Sequence, residues 1–123
     1  MSKGTILVVE DQAPFREFLE VTLTKLGFDV VTALTGKKAI DRAKDHKPDM
    51  VFLDVMLPDM DGYQICNALR DDPDMAFTPI IFISALGTQK HIDKAMSAGA
   101  TDYLVKPLGM DDIKDIVAQY YGK

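Results

Sequence analysis

Five short runs of apolar, largely β-branched residues recur along the chain, at Thr5–Val9, Asp29–Ala33, Met50–Leu53, Ile80–Ile83 and Asp102–Val105. Several are apolar throughout rather than alternating, the pattern of strands covered on both faces. The stretches between them carry a helical period. Phe15, Phe18, Leu19, Leu23 and Leu26 form one stripe, with Pro14 suited to the first turn of a helix and Gly27 to its stop. Thr35 is placed to cap a second helix carrying Ala39, Ile40 and Ala43, with Pro48 beyond its end. Asp61 caps a third, marked by Ile65 and Leu69, and Thr88 a fourth, carrying Ile92, Ala95 and Met96 up to Gly99. Met110, Ile113, Ile116, Val117 and Tyr120 trace a fifth. Strand then helix, five times over, predicts an α/β fold with a doubly wound parallel sheet. The length of 123 residues suits a single domain over 1–123, with no linker or low-complexity stretch inside it.

Composition removes other classes. At 47% hydrophobic and 27% charged, the chain has enough apolar surface to offset its conformational entropy. Cys66 stands alone, so there is no disulfide scaffold. The net charge of −5 argues against direct nucleic-acid binding, which needs a basic face. No apolar run approaches the roughly 18 residues of a membrane span. No signal-like segment precedes the first strand, and a cytoplasmic location without membrane contact is expected.

In open parallel sheets, ligands bind beyond the carboxyl ends of the strands, where the strand order reverses. The first run leads into Glu10-Asp11, the third into Asp54, the fourth into Ser84 and the fifth into Lys106-Pro107. With strand order 2-1-3-4-5 these groups converge on one edge. Three carboxylates crowded together need a compensating charge, and a hard divalent cation such as Mg²⁺ supplies it. Asp11 and Asp54 would ligate directly, and Glu10, longer by one methylene, through a bound water. Three unrelated solvated acids is the bland alternative, and their shared place at strand ends weighs against it. The loop after the first strand has no glycine, and neither GxGxxG nor a Walker A motif occurs, so nucleotide binding is a poor fit.

The acidic pair in LVVEDQ, the segment VFLDVMLPDMDG, the hydroxyl in IIFISA and the string AGATDYLVKP follow one another in order. Together they resemble the receiver domain of bacterial two-component response regulators, from Ile6 to about Tyr121. The resemblance implies a flavodoxin-like (βα)5 fold of order 2-1-3-4-5. It implies that Asp54 takes a phosphoryl group from a sensor histidine kinase or a His phosphotransfer protein. It also implies Mg²⁺, with Mn²⁺ able to substitute, held by Asp11, Asp54, the backbone carbonyl of Met56 and a phosphoryl oxygen. Lys106 and Ser84 would contact the other phosphoryl oxygens, and the Lys106–Pro107 bond would be cis. Ser84 and Tyr103 would form the conformational switch. Met56 and Leu86 occupy positions that tune dephosphorylation; both are apolar and cannot orient an attacking water, which predicts slow loss of phosphate. The protein is its own substrate and turns over nothing else, so no enzymatic activity is expected.

An unidentified downstream protein would read the switch. The first helix, through Phe15, Arg16 and Phe18, and the loop at Lys106 would dock the phosphoryl donor. A monomer is expected before phosphorylation, with dimerisation through the fourth and fifth helices afterwards. The alternative role is a relay shuttle passing the phosphoryl group to another histidine. A phosphatase of the haloacid-dehalogenase type would need a carboxylate at Met56. A receiver acting only as a binding module would not need the complete acceptor set. A stand-alone regulator and the receiver part of a longer one are equally open. Asp61-Gly62 and Pro58 read as structural. His46 and His91 lie off the strand-end edge, Cys66 reads as a packing residue, and Met75 as a residue exposed in a loop.

Overall fold

The computed structural model describes residues 2–121. Its strands are β1 (Thr5–Val9), β2 (Asp29–Ala33), β3 (Met50–Asp54), β4 (Ile80–Ser84) and β5 (Asp102–Val105). All neighbours pair in parallel, in the order β2-β1-β3-β4-β5. The helices are α1 (Ala13–Lys25), α2 (Gly36–His46), α3 (Gly62–Arg70), α4 (Gln89–Ser97) and α5 (Met110–Tyr120), with a single 3₁₀ turn at Pro73–Met75. β3 and β4 each run one residue past their apolar runs, which takes Asp54 and Ser84 into the ladder. The expected α/β architecture and strand order are both present.

Side chains alternate between the two faces of the sheet and build two apolar layers. Leu7, Val9, Val51, Leu53, Ile80 and Phe82 pack under α2, α3 and α4 with Ala39, Ile65, Cys66, Leu69 and Ala95. Ile6, Val8, Met50, Phe52, Ile81 and Ile83 pack under α1 and α5 with Leu19, Leu23, Ile113 and Val117. Continuous apolar runs are therefore what strands covered on both faces require.

Helix ends follow the local chemistry. Pro14 lies in the first turn of α1, and Gly27 after its end takes a φ of 101°, which a side chain would resist. The Thr35 hydroxyl accepts from Lys38 N, and Asp61 and Gln64 form a reciprocal capping box on α3. Thr88 sits at the N-cap of α4, but its hydroxyl pairs with the His91 ring at 2.6 Å instead of capping the backbone. Met96, expected on the packed stripe of α4, is 47% exposed. Met75, expected in the open, is buried, because the 3₁₀ turn folds it under the sheet.

Arg70 organises that end of the molecule. Its guanidinium donates to the carbonyls of Met75 (2.7 Å), Thr78 (2.6 Å) and Gly99 (3.0 Å), and to Thr101 Oγ1 (3.2 Å). One planar fork thus ties α3 to the loops that enter β4 and β5. Among the described residues no helix is long and apolar enough to cross a membrane.

Candidate functional site

The register of the ladder sets the site. Val9 pairs with Leu53, Asp54 with Ile83 and Ser84 with Val105, so β1, β3, β4 and β5 finish almost level. Glu10 follows β1 directly, its N–H donating to Ala33 of β2, and Lys106 follows β5, its N–H donating to Ser84 of β4. Glu10, Asp54 and Ser84 are buried, Asp11 is exposed, and Lys106 is half-buried. One carboxylate oxygen from each of Glu10, Asp11 and Asp54 lies within 4.8 Å of the others. The expected convergence is realised.

Lys106 Nζ donates to Glu10 Oε1 at 2.8 Å and stands 3.9 Å from Asp54 Oδ2. Burial pushes both carboxyls up, but for Glu10 the hydrogen bonds from Asp54 and Lys106 and the ammonium charge outweigh it. Glu10 is held below the usual carboxylate range. Asp54 goes the other way, raised to about 7 by burial and by its bond to and repulsion from Glu10, with Lys106 opposing only in part. The cluster therefore carries more negative charge than one lysine neutralises. Donors that are all oxygen, at this spacing and with unmet charge, fit a small hard cation.

The loops fix these groups in place. Arg16 donates to the carbonyls of Glu10 and Asp11, both at 3.2 Å, and so holds the acidic turn from the first turn of α1. Asp54 Oδ1 accepts from Met56 N at 3.3 Å. Gly62 N donates to Val55 O at 2.7 Å, and a Cβ at Gly62 would stand 2.8 Å from Val55 Cα and 2.9 Å from the Asp54 carbonyl. Only glycine lets α3 approach the Asp54 backbone so closely. Asp59, in the same loop, accepts from Gly36 N (2.7 Å) and Lys37 N (3.1 Å), capping α2 from outside; these bonds hold its carboxyl below the usual range.

On the other side of Asp54, Ser84 Oγ accepts from Leu86 N at 3.0 Å, and the Tyr103 hydroxyl donates to the Leu86 carbonyl. Ser84 and Tyr103 thus meet on one residue, Leu86, through its N–H and its carbonyl. The Tyr103 ring is half-buried and stacks on Phe82 with centroids 6.1 Å apart. Met56 is 66% exposed and Leu86 half-buried, and together with Gln12, Ala85 and Lys106 they line a cleft of about 270 Å³ over Asp54 and Ser84. The Lys106–Pro107 bond is cis. His46 on α2 and His91 on α4 are not among the residues that line this cleft, and buried Cys66 has its thiol pushed up to about 11 by burial.

Sequence reasoning missed three contributors: Gly62 as the close-approach residue, Asp59 as the external cap, and the Phe15 ring, which lies under Lys106. Phe15 signalled its place in the apolar stripe and on the donor-docking face of the first helix, with nothing to set its ring against Lys106. The other two depend on how loops distant in sequence meet.

The model of the family described as the response regulator receiver domain matches residues 6–118. The transcriptional regulatory protein KdpE of Mycobacterium tuberculosis is 39% identical over 107 residues, covering 87% of this chain and 46% of its own. The response regulator PleD of Caulobacter vibrioides is 39% identical over 108 residues, 88% of this chain and 23% of its own. This chain thus spans less than half the length of either relative. Among solved structures, the receiver domain of the sensor histidine kinase PA1611 from Pseudomonas aeruginosa aligns at a TM-score of 0.90 and 29% identity, covering 98% of both chains. That structure is described as having a magnesium ion coordinated in its active-site cleft. The BeF3-activated N-terminal receiver domain of Klebsiella pneumoniae RstA aligns at 0.89 and 28% identity, over 97% of this chain and 99% of its own.

Proposed function

The chain belongs to the response regulator receiver domain family of two-component systems, and from that premise we propose that Asp54 accepts a phosphoryl group from a histidine kinase or His phosphotransfer protein. The observation that carries the reading is a buried carboxylate at a strand end, 3.9 Å from a lysine ammonium and clustered with two further carboxylates. In the transfer, an Asp54 carboxylate oxygen attacks phosphorus. The bond from phosphorus to the donor imidazole nitrogen breaks, and its electron pair stays on that nitrogen. The product is an acyl phosphate on Asp54.

The chain's part is positioning and charge. Lys106 moves its N–H donors from Glu10 to a phosphoryl oxygen, and the Ser84 hydroxyl, now an acceptor from Leu86 N, turns to donate to another. Asp11, Asp54 and the Met56 carbonyl would hold Mg²⁺, or Mn²⁺ in its place, with Glu10 reaching it through water. The cation supplies the positive charge that lets these carboxylates and the phosphoryl oxygens share one cleft. When Ser84 leaves Leu86, the residue whose carbonyl also takes the Tyr103 hydroxyl is released, and Tyr103 passes the change to the α4–β5–α5 surface read by a downstream protein. Apolar Met56 and Leu86 give an attacking water no polar partner, so the acyl phosphate is long-lived. The protein consumes no other substrate and works in the cytoplasm.

Mass spectrometry after treatment with acetyl phosphate, with and without Mg²⁺, tests this reading on the wild type and on Asp54→Asn. One phosphoryl group, added only with the metal and lost in the variant, is the expected result. No addition to the wild type would leave a fold that binds partners without the chemistry.

A further inference from the structure

We propose that Phe15 is a positioning residue for Lys106; the inference rests on the reading of Asp54 as the phosphoacceptor. Lys106 Nζ lies 4.4 Å from the centroid of the Phe15 ring, within the roughly 6 Å over which a ring face attracts an ammonium. The ring is held by its own surroundings. Phe15 sits in the first turn of α1 after Pro14, half-buried against the apolar layer under α1 and α5. Phe18, one helical turn on, backs it with centroids 5.7 Å apart.

The chemistry of the other partners makes the ring matter. Glu10 and Asp54 are the carboxylates that face Lys106, at 2.8 and 3.9 Å. Both are needed elsewhere during the reaction, Asp54 to bond phosphorus and Glu10 to turn toward the cation. A carboxylate also competes with the phosphoryl oxygens for the same N–H donors. The Phe15 ring does neither. It attracts the ammonium through its face, remains in place when both carboxylates turn away, and leaves the N–H donors free for phosphate. A lysine stem has four rotatable bonds and much entropy to lose, so a fixed wall on one side shortens its search for the phosphoryl oxygen. An aliphatic side chain would fill the space without the attraction.

The test is the rate constant for Asp54 phosphorylation by acetyl phosphate in Mg²⁺. It is measured for the wild type, Phe15→Leu, Phe15→Met and Phe15→Tyr, and for Phe15→Leu and Phe15→Met again in a Lys106→Met background. A donor this small docks on no helix, so a role for Phe15 confined to partner docking leaves these rates unchanged. The expected results are a rate about fivefold lower in Phe15→Leu and Phe15→Met, and near-wild-type behaviour in Phe15→Tyr, which keeps the ring. In the Lys106→Met background, truncating Phe15 should cost nothing further. Phe15→Met supplies the answer if Phe15→Leu fails to fold. Wild-type rates in the truncated variants, or the same loss with and without Lys106, would overturn the proposal. A wild type that takes up no phosphoryl group overturns the phosphoacceptor reading itself, a result separate from either.

Discussion

Asp54 keeps its proton up to about pH 7 because burial and the neighbouring Glu10 carboxylate both oppose its charge. In the unfolded chain the same group titrates near 3.8. The folded state therefore holds a proton that the unfolded state releases, and between these values stability falls as pH rises. Without divalent cations, Asp54→Asn should be more stable than the wild type at pH 8, with the gap narrower at pH 5 and closing only as pH falls toward 3.8. Thermal melts in a chelator would show this, and equal melts at both values would contradict it. Mg²⁺ should raise the melting temperature more at pH 8 than at pH 5, since the proton and the cation compete for one carboxylate. Gly62 makes a different claim at the same scale. Its missing Cβ would meet only backbone atoms of Asp54 and Val55, which cannot turn aside. Gly62→Ala should cost about 1–3 kcal/mol in urea unfolding, and should also slow phosphorylation, because the strain falls on the nucleophile's own peptide.

Helices and strands were largely legible because each carries its signal locally. Apolar runs marked all five strands, and Pro14, Gly27, Thr35 and Asp61 stand where helix-end chemistry requires them. The strand-end rule then located Glu10, Asp11, Asp54, Ser84 and Lys106 together. What escaped depends on neighbours from elsewhere in the chain. Met75 is buried because a 3₁₀ turn folds it inward, and Met96 lies open because α4 packs chiefly through Ala95. The Thr88 hydroxyl found the His91 ring before it found a backbone N–H. Arg70 is the plainest case, a last-turn arginine whose three carbonyl partners lie on two separate loops, those that enter β4 and β5. Arg70→Ala leaves those carbonyls without a donor and should lower the unfolding free energy by about 3 kcal/mol. Arg70→Lys should recover little, because one ammonium cannot span the fork. Urea midpoints of the two variants would decide it.

Across the whole molecule, the site borrows from four strands while β2, at the edge, contributes only the Ala33 carbonyl that steadies Glu10. Sequence order says nothing of this division, and only the 2-1-3-4-5 arrangement makes the β1–β3 boundary the place where the loops part. The ion pair between Glu10 and Lys106 joins residues 96 positions apart. No fragment that lacks either end of the fold can hold both. Acetyl phosphate labelling of Asp54, followed across a urea series, should therefore disappear together with the far-ultraviolet signal of the helices. Labelling that outlasts that signal would mean a sub-structure suffices. The wider consequence concerns timing in the cell. If Asp54 is the phosphoacceptor, a chain still leaving the ribosome lacks the lysine that completes the cleft, one trimmed at its start lacks the glutamate, and both would stay silent to a donor, so that signalling itself would screen for chains whose two ends have met.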